Sequence, residues 1–514
     1  MDPSHSKGIS NMGRTLVERL EKLRNLRFAL RMKTGCQKKL TLADVEKICG
    51  NSVSHAELYA REKQISFIGF FNEFEDIYGK DCVYIHLFKE KDYDWLAKRA
   101  IGHGALAIIS ESQIDDLPCI IVEDVWQVLR ELSRLYIGDF TGGRTAVAGS
   151  IGETTTKEMV EAVLSQKYRT FCTPNNGNVL RYLAFEIQHM PWNSEQFIQE
   201  VDESYPNNAR DCSYVLQPNI AIITTIDKSH VGALGSEEAV AKAIVDVTAY
   251  IPEDGAVIIS ADDPKSKAVR FSRKVVSVGI QDQSADCTAS EIVSDSKNVN
   301  FILSYQGKRT AIHLNCPGEH NVYNAMFAFV AGKLNGMTER QICRGLRKYH
   351  PMTVRQNTYR SLGRTLYVDC FNASAKSVGV ALDVLKKMKP KGKGRRIAVL
   401  GDIAEIDGFQ EQTYLQIANK IHDSDIDLLV TYGNDSIRIW KNFTEEQQDG
   451  LHISEKAELL DYIKNHFHRG DVILFKASGN MHMDQIVRSA FPISYLITRV
   501  PYEIKTSLWL LKTV

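Results

Sequence analysis

Apolar positions along this chain keep two rhythms, and the alternation between them predicts an α/β protein. Runs such as CVYIHLF, ALAIIS and CIIVED are apolar almost without a break. DYDWLAKRAIGHG and VWQVLRELSRLYI instead return to apolar residues every third or fourth place. Short unbroken runs read as buried strands, and the longer period reads as a helix with one apolar face. The same reading places strands at TAVAG, EQFIQEV, IAIITTI, GAVIIS and KVVSVGI. A more β-rich stretch follows, VNFILSYQGKRTAIHLNC, then the turn PGEH and the helix NVYNAMFAFVAGKL. Strands TLYVDC, RRIAVLG, DLLVTYG and DVILFKAS, with helices between them, close the series. Near the start, Leu16, Leu20, Leu23, Leu26 and Leu30 predict a helix over 14–32.

Strands alternating with helices predict βαβ units and mainly parallel sheets. A chain of 514 residues makes about three domains of typical size. The expected units are 1–141, a small α/β domain with a helical N-terminal extension; 142–360; and 361–514. The segment Gly138–Gly143, GDFTGG, reads as the hinge between the first two. Composition changes little: 44% hydrophobic and 25% charged is ordinary for a globular chain. Lysine plus arginine equals aspartate plus glutamate at 63 each, so no overall field favours nucleic acid or a membrane surface. The basic run Lys386–Arg396 reads as a solvated loop. Ten cysteines without a C-x-x-C unit argue against structural zinc and fit a reducing compartment. With no signal-like apolar core and no run of about 18 apolar residues, a cytoplasmic protein without a membrane span is expected.

The candidate chemistry begins at Gly149–Met159, GSIGETTTKEM. An apolar run precedes it and the amphipathic stretch KEMVEAVLSQ follows, so it reads as strand, tight loop and helix. Glycines there let backbone N–H groups approach a phosphate, and the helix N-terminus adds a favourable dipole. A hydroxyl such as Thr154 suits Mg²⁺, and a lysine would neutralise phosphate charge. The loop departs from G-x-x-x-x-G-K-[ST] at two places, with Val147 at the first glycine and Glu153 at the lysine. By itself it is equally a plain strand-turn-helix.

Further stretches bear on that choice. FIQEV puts Glu200 at a strand end, and TTIDKSHVGALGSEEAVAKAI puts His230 after another strand. GEHNVYNAMFA, YHPMTVRQN, LYVDCFNASAKSV, AVLGDIAEIDGF and KASGNMHMDQIV follow in order. In that order and spacing they resemble the Mur ligase family, over about 80 to 490. The likeness is nearest to the branch that adds D-alanyl-D-alanine to UDP-N-acetylmuramoyl-tripeptide in peptidoglycan (cell-wall) biosynthesis. The resemblance implies an N-terminal substrate domain, a central ATP-binding domain and a Rossmann-like C-terminal ligase domain. It implies that ATP and Mg²⁺ activate a small-molecule acid as an acyl phosphate, which an amino acid or peptide then attacks to form an amide. Gly149, Gly152, Glu153, Thr154 and Thr155, with Thr156, would lie around the phosphates, with Thr154 on Mg²⁺. Glu200 and His230 would hold a second Mg²⁺. Asn321 and Asn324 would lie near the adenine, and Arg355 and Asp369 would contact phosphate and ribose across the domain boundary. Asn372, Ser377, Ser478 and Lys476 would lie near the acceptor or the interdomain cleft, with Glu200, His230, Arg355 and Lys476 as the catalytic set.

Four departures qualify the resemblance. Glu153 stands where the family has its phosphate-loop lysine. Counting fourteen residues on from His230, where the family has a carbamoylated lysine, gives Ile244, with Lys242 and Asp246 two positions off. Ala477 replaces the glycine of a K-G-S motif, and the N-terminal region lacks the serine-arginine and aspartate-glycine-histidine groups that read a UDP-sugar. Two readings stand: an active acid–amine ligase with an altered phosphate loop, or a catalytically impaired relative that binds nucleotide, peptide or a protein partner. A structural partner of an active ligase is a third. Neither the acid, the amine nor the oligomeric state follows from the sequence.

Overall fold

The computed structural model describes residues 40–51, 53, 64–65, 67–69, 82–174, 177–227, 231–351, 354–404, 406, 408–444 and 450–491. The helix expected over 14–32 lies outside them, as do His230 and Glu405. In the N-terminal unit, β1 (Leu40–Thr41) pairs antiparallel with β2 (Gln64–Ile65). A four-stranded parallel sheet follows: β3 (Phe67–Gly69), β4 (Cys82–Ile85), β5 (Ala107–Ser110) and β6 (Cys119–Ile121), side by side in that order.

The central sheet has nine strands: β7 (Gly143–Ala148), β8 (Thr170–Cys172), β9 (Gln196–Glu200), β10 (Ile220–Ile223), β11 (Ala256–Ser260), β12 (Lys274–Gly279), β13 (Cys287–Ser294), β14 (Val299–Tyr305) and β15 (Lys308–Leu314). Their order is β15-β14-β13-β12-β11-β10-β7-β9-β8, parallel from β13 to β8 and antiparallel at β13-β14-β15. The third sheet comprises β16 (Asn357–Ser361), β17 (Arg364–Val368), β18 (Arg396–Gly401), β19 (Leu428–Tyr432), β20 (Gly450–Ile453) and β21 (Val472–Lys476). Its order is β16-β17-β21-β18-β19-β20, parallel except for the β16-β17 hairpin. That hairpin begins at Asn357, so the third sheet takes up residues on both sides of the expected 360/361 boundary.

Alternation along the central strands explains why the sheet is covered on both faces. Ala146 and Ala148 of β7, Ala221 and Ile223 of β10, and Val257 and Ile259 of β11 belong to one apolar cluster. Val147, Ile222 and Ile258, on the other face, belong to another. The first cluster continues without a break into the N-terminal unit, through the helix Val125–Ile137 and strands β4 and β5. The third sheet has its own two clusters, one on each face, and neither takes in central-unit residues. The first two units therefore share a core, whereas the third is joined to the centre by polar contacts.

Topology fixes where a ligand would sit. The chain leaves β7 toward β8 on one side, and leaves β9 for β10 on the other. The crevice at the C-terminal end of β7 is thus the switch point, where parallel α/β sheets take ligands. Among the described residues, no helix is long and apolar enough to cross a membrane.

Candidate functional site

The loop after β7 is shaped as a phosphate cradle. Gly149 has φ 142° and Gly152 φ 94°, backbone regions that L side chains avoid. A Cβ on Gly149 would lie 2.1 Å from Thr224 Oγ1, so the loop sits directly on the end of β10. The Ser150 N–H donates to Thr225 O (2.9 Å), and the Asp227 N–H to Ser150 Oγ (2.9 Å), pinning the loop to the segment after β10. Gly152 is the N-cap of the helix Glu153–Leu164 and offers no side-chain cap. The first N–H groups of that helix therefore face the loop mouth. Thr154 and Thr155 are buried in that first turn.

A dense set of charges surrounds the mouth. Register places Val147 of β7 beside Glu200 of β9, which brings the Glu200 carboxylate to the switch point. Its Oε2 lies 3.1 Å from Lys157 Nζ, and both groups are nearly inaccessible. Lys157 also donates to Thr173 O (3.1 Å). Burial alone would lower the Lys157 ammonium, but Glu200 leads the groups that outweigh it and hold it above its ordinary value. Burial, then Glu203 and Glu200, push the Glu153 carboxyl well above the usual range, against the pull of Arg355. Glu158 is pushed up to about 7 by burial, opposed by Arg355 and Lys157, and Tyr349 Oη lies 3.3 Å from its Oε2. The shift makes Glu153 harder to ionise than a free carboxyl, which lessens the repulsion it would bring to a phosphate.

Arg355 comes from the start of the C-terminal unit. Its guanidinium lies 4.2 Å from the centre of the Phe371 ring, and it acts electrostatically on both Glu153 and Glu158. Other expected site residues are used differently. The Asn324 side chain accepts from Thr156 Oγ1 (3.0 Å) and donates to Asn321 Oδ1 (3.0 Å). Asn321 in turn donates to Pro317 O (2.7 Å) and Gln356 Oε1 (3.0 Å). Both asparagines are buried with their amides occupied, so in this arrangement they hold the helix His320–Leu334 to the loop helix and present no amide edge to an adenine. Thr156, fully buried, is likewise drawn away from the loop mouth.

Lys476 lies at the end of β21, where Nζ bonds Asp369 Oδ2 (2.9 Å) and Asn372 O (2.9 Å). Both charges are buried, and Asp369 Oδ1 accepts the Gln356 N–H (3.2 Å). Lys476 and Asp369 therefore brace the linker beneath Arg355. The Asn372 side chain accepts from its neighbour's N–H (2.8 Å). Ser377 forms a reciprocal capping box with Ser374, and Ser478 Oγ accepts the Ala404 N–H (2.9 Å). The first two close local turns, and Ser478 ties the segment after β21 to the loop after β18. Ala477 fits its place by packing on Gly401, where even a Cβ would come within 2.6 Å of it. Ile244 is fully buried in the shared core, while Lys242 bonds Asp246 (2.6 Å) on the exposed side.

Sequence reasoning missed Lys157, Glu203, Glu158 and Gln356. For Lys157 a signal existed: at three and seven residues before Val160 and Leu164, it falls on the apolar stripe of its helix, where a charge needs a partner.

These residues fit a nucleotide triphosphate by their backbone. The cradle is a strand end, two glycines in left-handed or extended-positive geometry and an uncapped helix N-terminus. For magnesium, the hydroxyl of Thr154 and the carboxylate of Glu200 are hard oxygen donors of the kind it takes. Among the described residues no group of three or more His, Cys, Asp or Glu could hold a metal. Magnesium keeps waters and phosphate oxygens as ligands, so it does not require such a cage.

Comparison with known proteins agrees. The Mur ligase middle domain matches residues 147–332, and the Mur ligase, glutamate ligase domain matches 354–479. The chain is similar to the UDP-N-acetylmuramoyl-tripeptide–D-alanyl-D-alanine ligase of Bacillus subtilis (strain 168), 29% identical over 401 residues, 76% of this chain and 86% of that protein. It is 27% identical over 422 residues to the enzyme of the same name from Escherichia coli (strain K12), covering 79% of this chain and 90% of that one. The fold is similar to a crystal structure of MurF from Acinetobacter baumannii, with TM-score 0.79 at 22% identity, covering 88% of this chain and 99% of the other. It is also similar to MurF ligase from Thermotoga maritima in complex with ADP, with TM-score 0.72 at 19% identity, over 82% and 97%. With both family domains matched in order onto the second and third sheets, the chain belongs to the Mur ligase family.

Proposed function

We propose that the protein is an ATP-dependent acid–amine ligase of Mur type, forming an amide by way of an acyl phosphate. The names of its relatives point to D-alanyl-D-alanine as the amine and a UDP-N-acetylmuramoyl peptide as the acid. The observation that carries the reading is the loop mouth itself. A glycine cradle on a helix N-terminus in the central unit lies within electrostatic reach of an arginine, Arg355, in the linker that leads into the next. Two anions must meet for this chemistry, and helix N–H groups with an arginine supply the positive field. The proposed division of labour follows 1–141, 142–360 and 361–514 as substrate, nucleotide and ligase domains. Magnesium would take Thr154 and Glu200, with His230 proposed as a further ligand. A cytoplasmic location fits the cysteines of the described residues, which are mostly buried and outside any disulfide.

Glu153 is the point of tension. A carboxylate about 4 Å from a phosphate costs about 4 kcal/mol at an effective dielectric near 20, and a lysine would gain as much. The upward shift of its carboxyl, set first by burial, lessens that cost. Lys157, one helical turn on, is committed to Glu200 and does not replace the missing cation. Titration calorimetry with magnesium ATP tests the reading. Binding is expected, weakening as pH rises and Glu153 ionises, and Glu153→Lys is expected to tighten Kd by about tenfold or more. No heat with magnesium ATP at millimolar concentration, together with no ADP release in the presence of D-alanyl-D-alanine and candidate acids, removes the ligase reading. The buried Ile244 at the carbamoylated-lysine position favours the impaired relative as the second reading. Nucleotide binding without turnover would select it.

A further inference from the structure

A continuous buried hydrogen-bond relay crosses from the loop helix into the C-terminal sheet. It starts at Thr156 Oγ1, on the helix Glu153–Leu164, and passes through Asn324 and Asn321 on the helix His320–Leu334. It reaches the Gln356 side chain in the linker, continues from the Gln356 N–H to Asp369 Oδ1, and ends on Lys476 at the end of β21. Its direction is not a free choice. Pro317 O can only accept, so Asn321 must turn its amide nitrogen toward it and toward Gln356 Oε1. Asn321 Oδ1 then faces Asn324 Nδ2, and Asn324 Oδ1 is left to accept the Thr156 hydroxyl. Every amide is oriented by one carbonyl, and Thr156, Asn321, Asn324, Asp369 and Lys476 are all buried. A half-made relay of this kind leaves unpaired buried polar groups, so its members favour being formed together.

The relay spans the junction between the third unit and the centre. Among the described residues no apolar cluster joins them, and two further links are exposed ion pairs, Lys376 with Asp227 (3.4 Å) and Lys387 with Glu319 (2.8 Å). Gln356 stands at the crossing point with φ 51°, a left-handed conformation that a non-glycine residue holds only when its surroundings fix it. Its neighbour is Arg355, and Asn357 Nδ2 donates to Arg355 O (3.1 Å), so the arginine backbone is braced from both sides.

We infer that Gln356 is a positioning residue: through this relay it couples the seating of the loop helix to the placement of the C-terminal unit, and so sets where Arg355 stands at the loop mouth. The consequence for catalysis rests on the ligase reading; the coupling itself does not.

The test uses hydrogen exchange read by mass spectrometry on the full chain. Thr156→Val removes the hydroxyl at one end, and Gln356→Gly removes the side chain while easing the backbone. Thr156→Val is expected to raise exchange in β17 and β21, and Gln356→Gly to raise it in the loop helix. The double variant should go no further than the larger single effect. Thr156→Ser, which keeps the hydroxyl, should match the unmodified protein. Exchange that rises only in the substituted unit, effects that sum, or a serine variant that behaves like valine each overturn the relay. If the ligase turns over, Gln356→Gly should lower kcat about fivefold or more with KM for ATP within about twofold; an unchanged kcat overturns the link to Arg355. Absence of turnover in the unmodified protein defeats the ligase reading alone, and the exchange data then decide the relay.

Discussion

At the scale of single residues the decisive feature is a pair of carboxyls whose pKa values are pushed upward. Glu153 and Glu158 lie on one helix and both feel burial first; Arg355 pulls both downward and does not win. For Glu158 the balance lands at about 7, against 4.5 for a free carboxyl. A carboxyl whose folded pKa is raised binds its proton more tightly in the folded state. Its contribution is therefore fully present below about 4.5 and is lost as pH climbs through about 7. Stability of the wild-type central unit should fall across that window by on the order of 1–3 kcal/mol. Glu158→Gln, which cannot ionise, should flatten the slope. Urea unfolding of both proteins at pH 5 and pH 8 measures this, and parallel slopes would refute it.

At the scale of elements, the loop helix is seated by close packing as much as by its loop. Gly345, on the helix Glu339–Lys348, lies so near that a Cβ there would meet Val163 Cα at 2.5 Å and Ala162 O at 2.6 Å. Alanine is the better helix former by up to about 1 kcal/mol, but its methyl would have to push the loop helix aside. Overpacking of that kind costs about 1–3 kcal/mol, so Gly345→Ala should destabilise the protein on balance. It should also weaken magnesium nucleotide binding, although it lies a full helix away from the loop. Thermal unfolding and calorimetry on the same variant check the two effects, and a raised Tm would contradict the packing account. The sequence could not announce this contact. A lone glycine in a helical pattern looks the same whether it faces solvent or a neighbouring backbone.

At the scale of the whole molecule, the three units are joined in unlike ways. Among the described residues an unbroken apolar cluster binds the first to the second, while no such cluster joins the second to the third. The exposed ion pairs at that junction are worth about 0–1 kcal/mol each and are screened by salt. If the buried relay holds the arrangement, small-angle scattering should be nearly unchanged between about 0.1 M and 1 M salt. Expansion at high salt would give the junction to Lys376–Asp227 and Lys387–Glu319 instead.

The sequence by itself determined the strand-helix alternation, most central and C-terminal strands, and the glycine loop at the end of β7, because periodicity and turn chemistry are local and leave a local trace. Short or mixed strands escaped it: β8 has three residues, and β20, GLHI, carries no unbroken apolar run. It also singled out Arg355 and Glu153 as candidates, through an ordered set of motifs that resemble a family's. Only the tertiary structure decided what the polar residues do. Asn321, Asn324, Asp369 and Lys476 were legible as chemistry, but their partners lie far away in sequence, and it is those partners that turn them from ligand-facing groups into a brace. The same holds for Glu153. Its raised pKa depends on burial and then on Glu203 and Glu200, brought beside it by a parallel crossover, and no reading of nearest neighbours along the chain contains that distance.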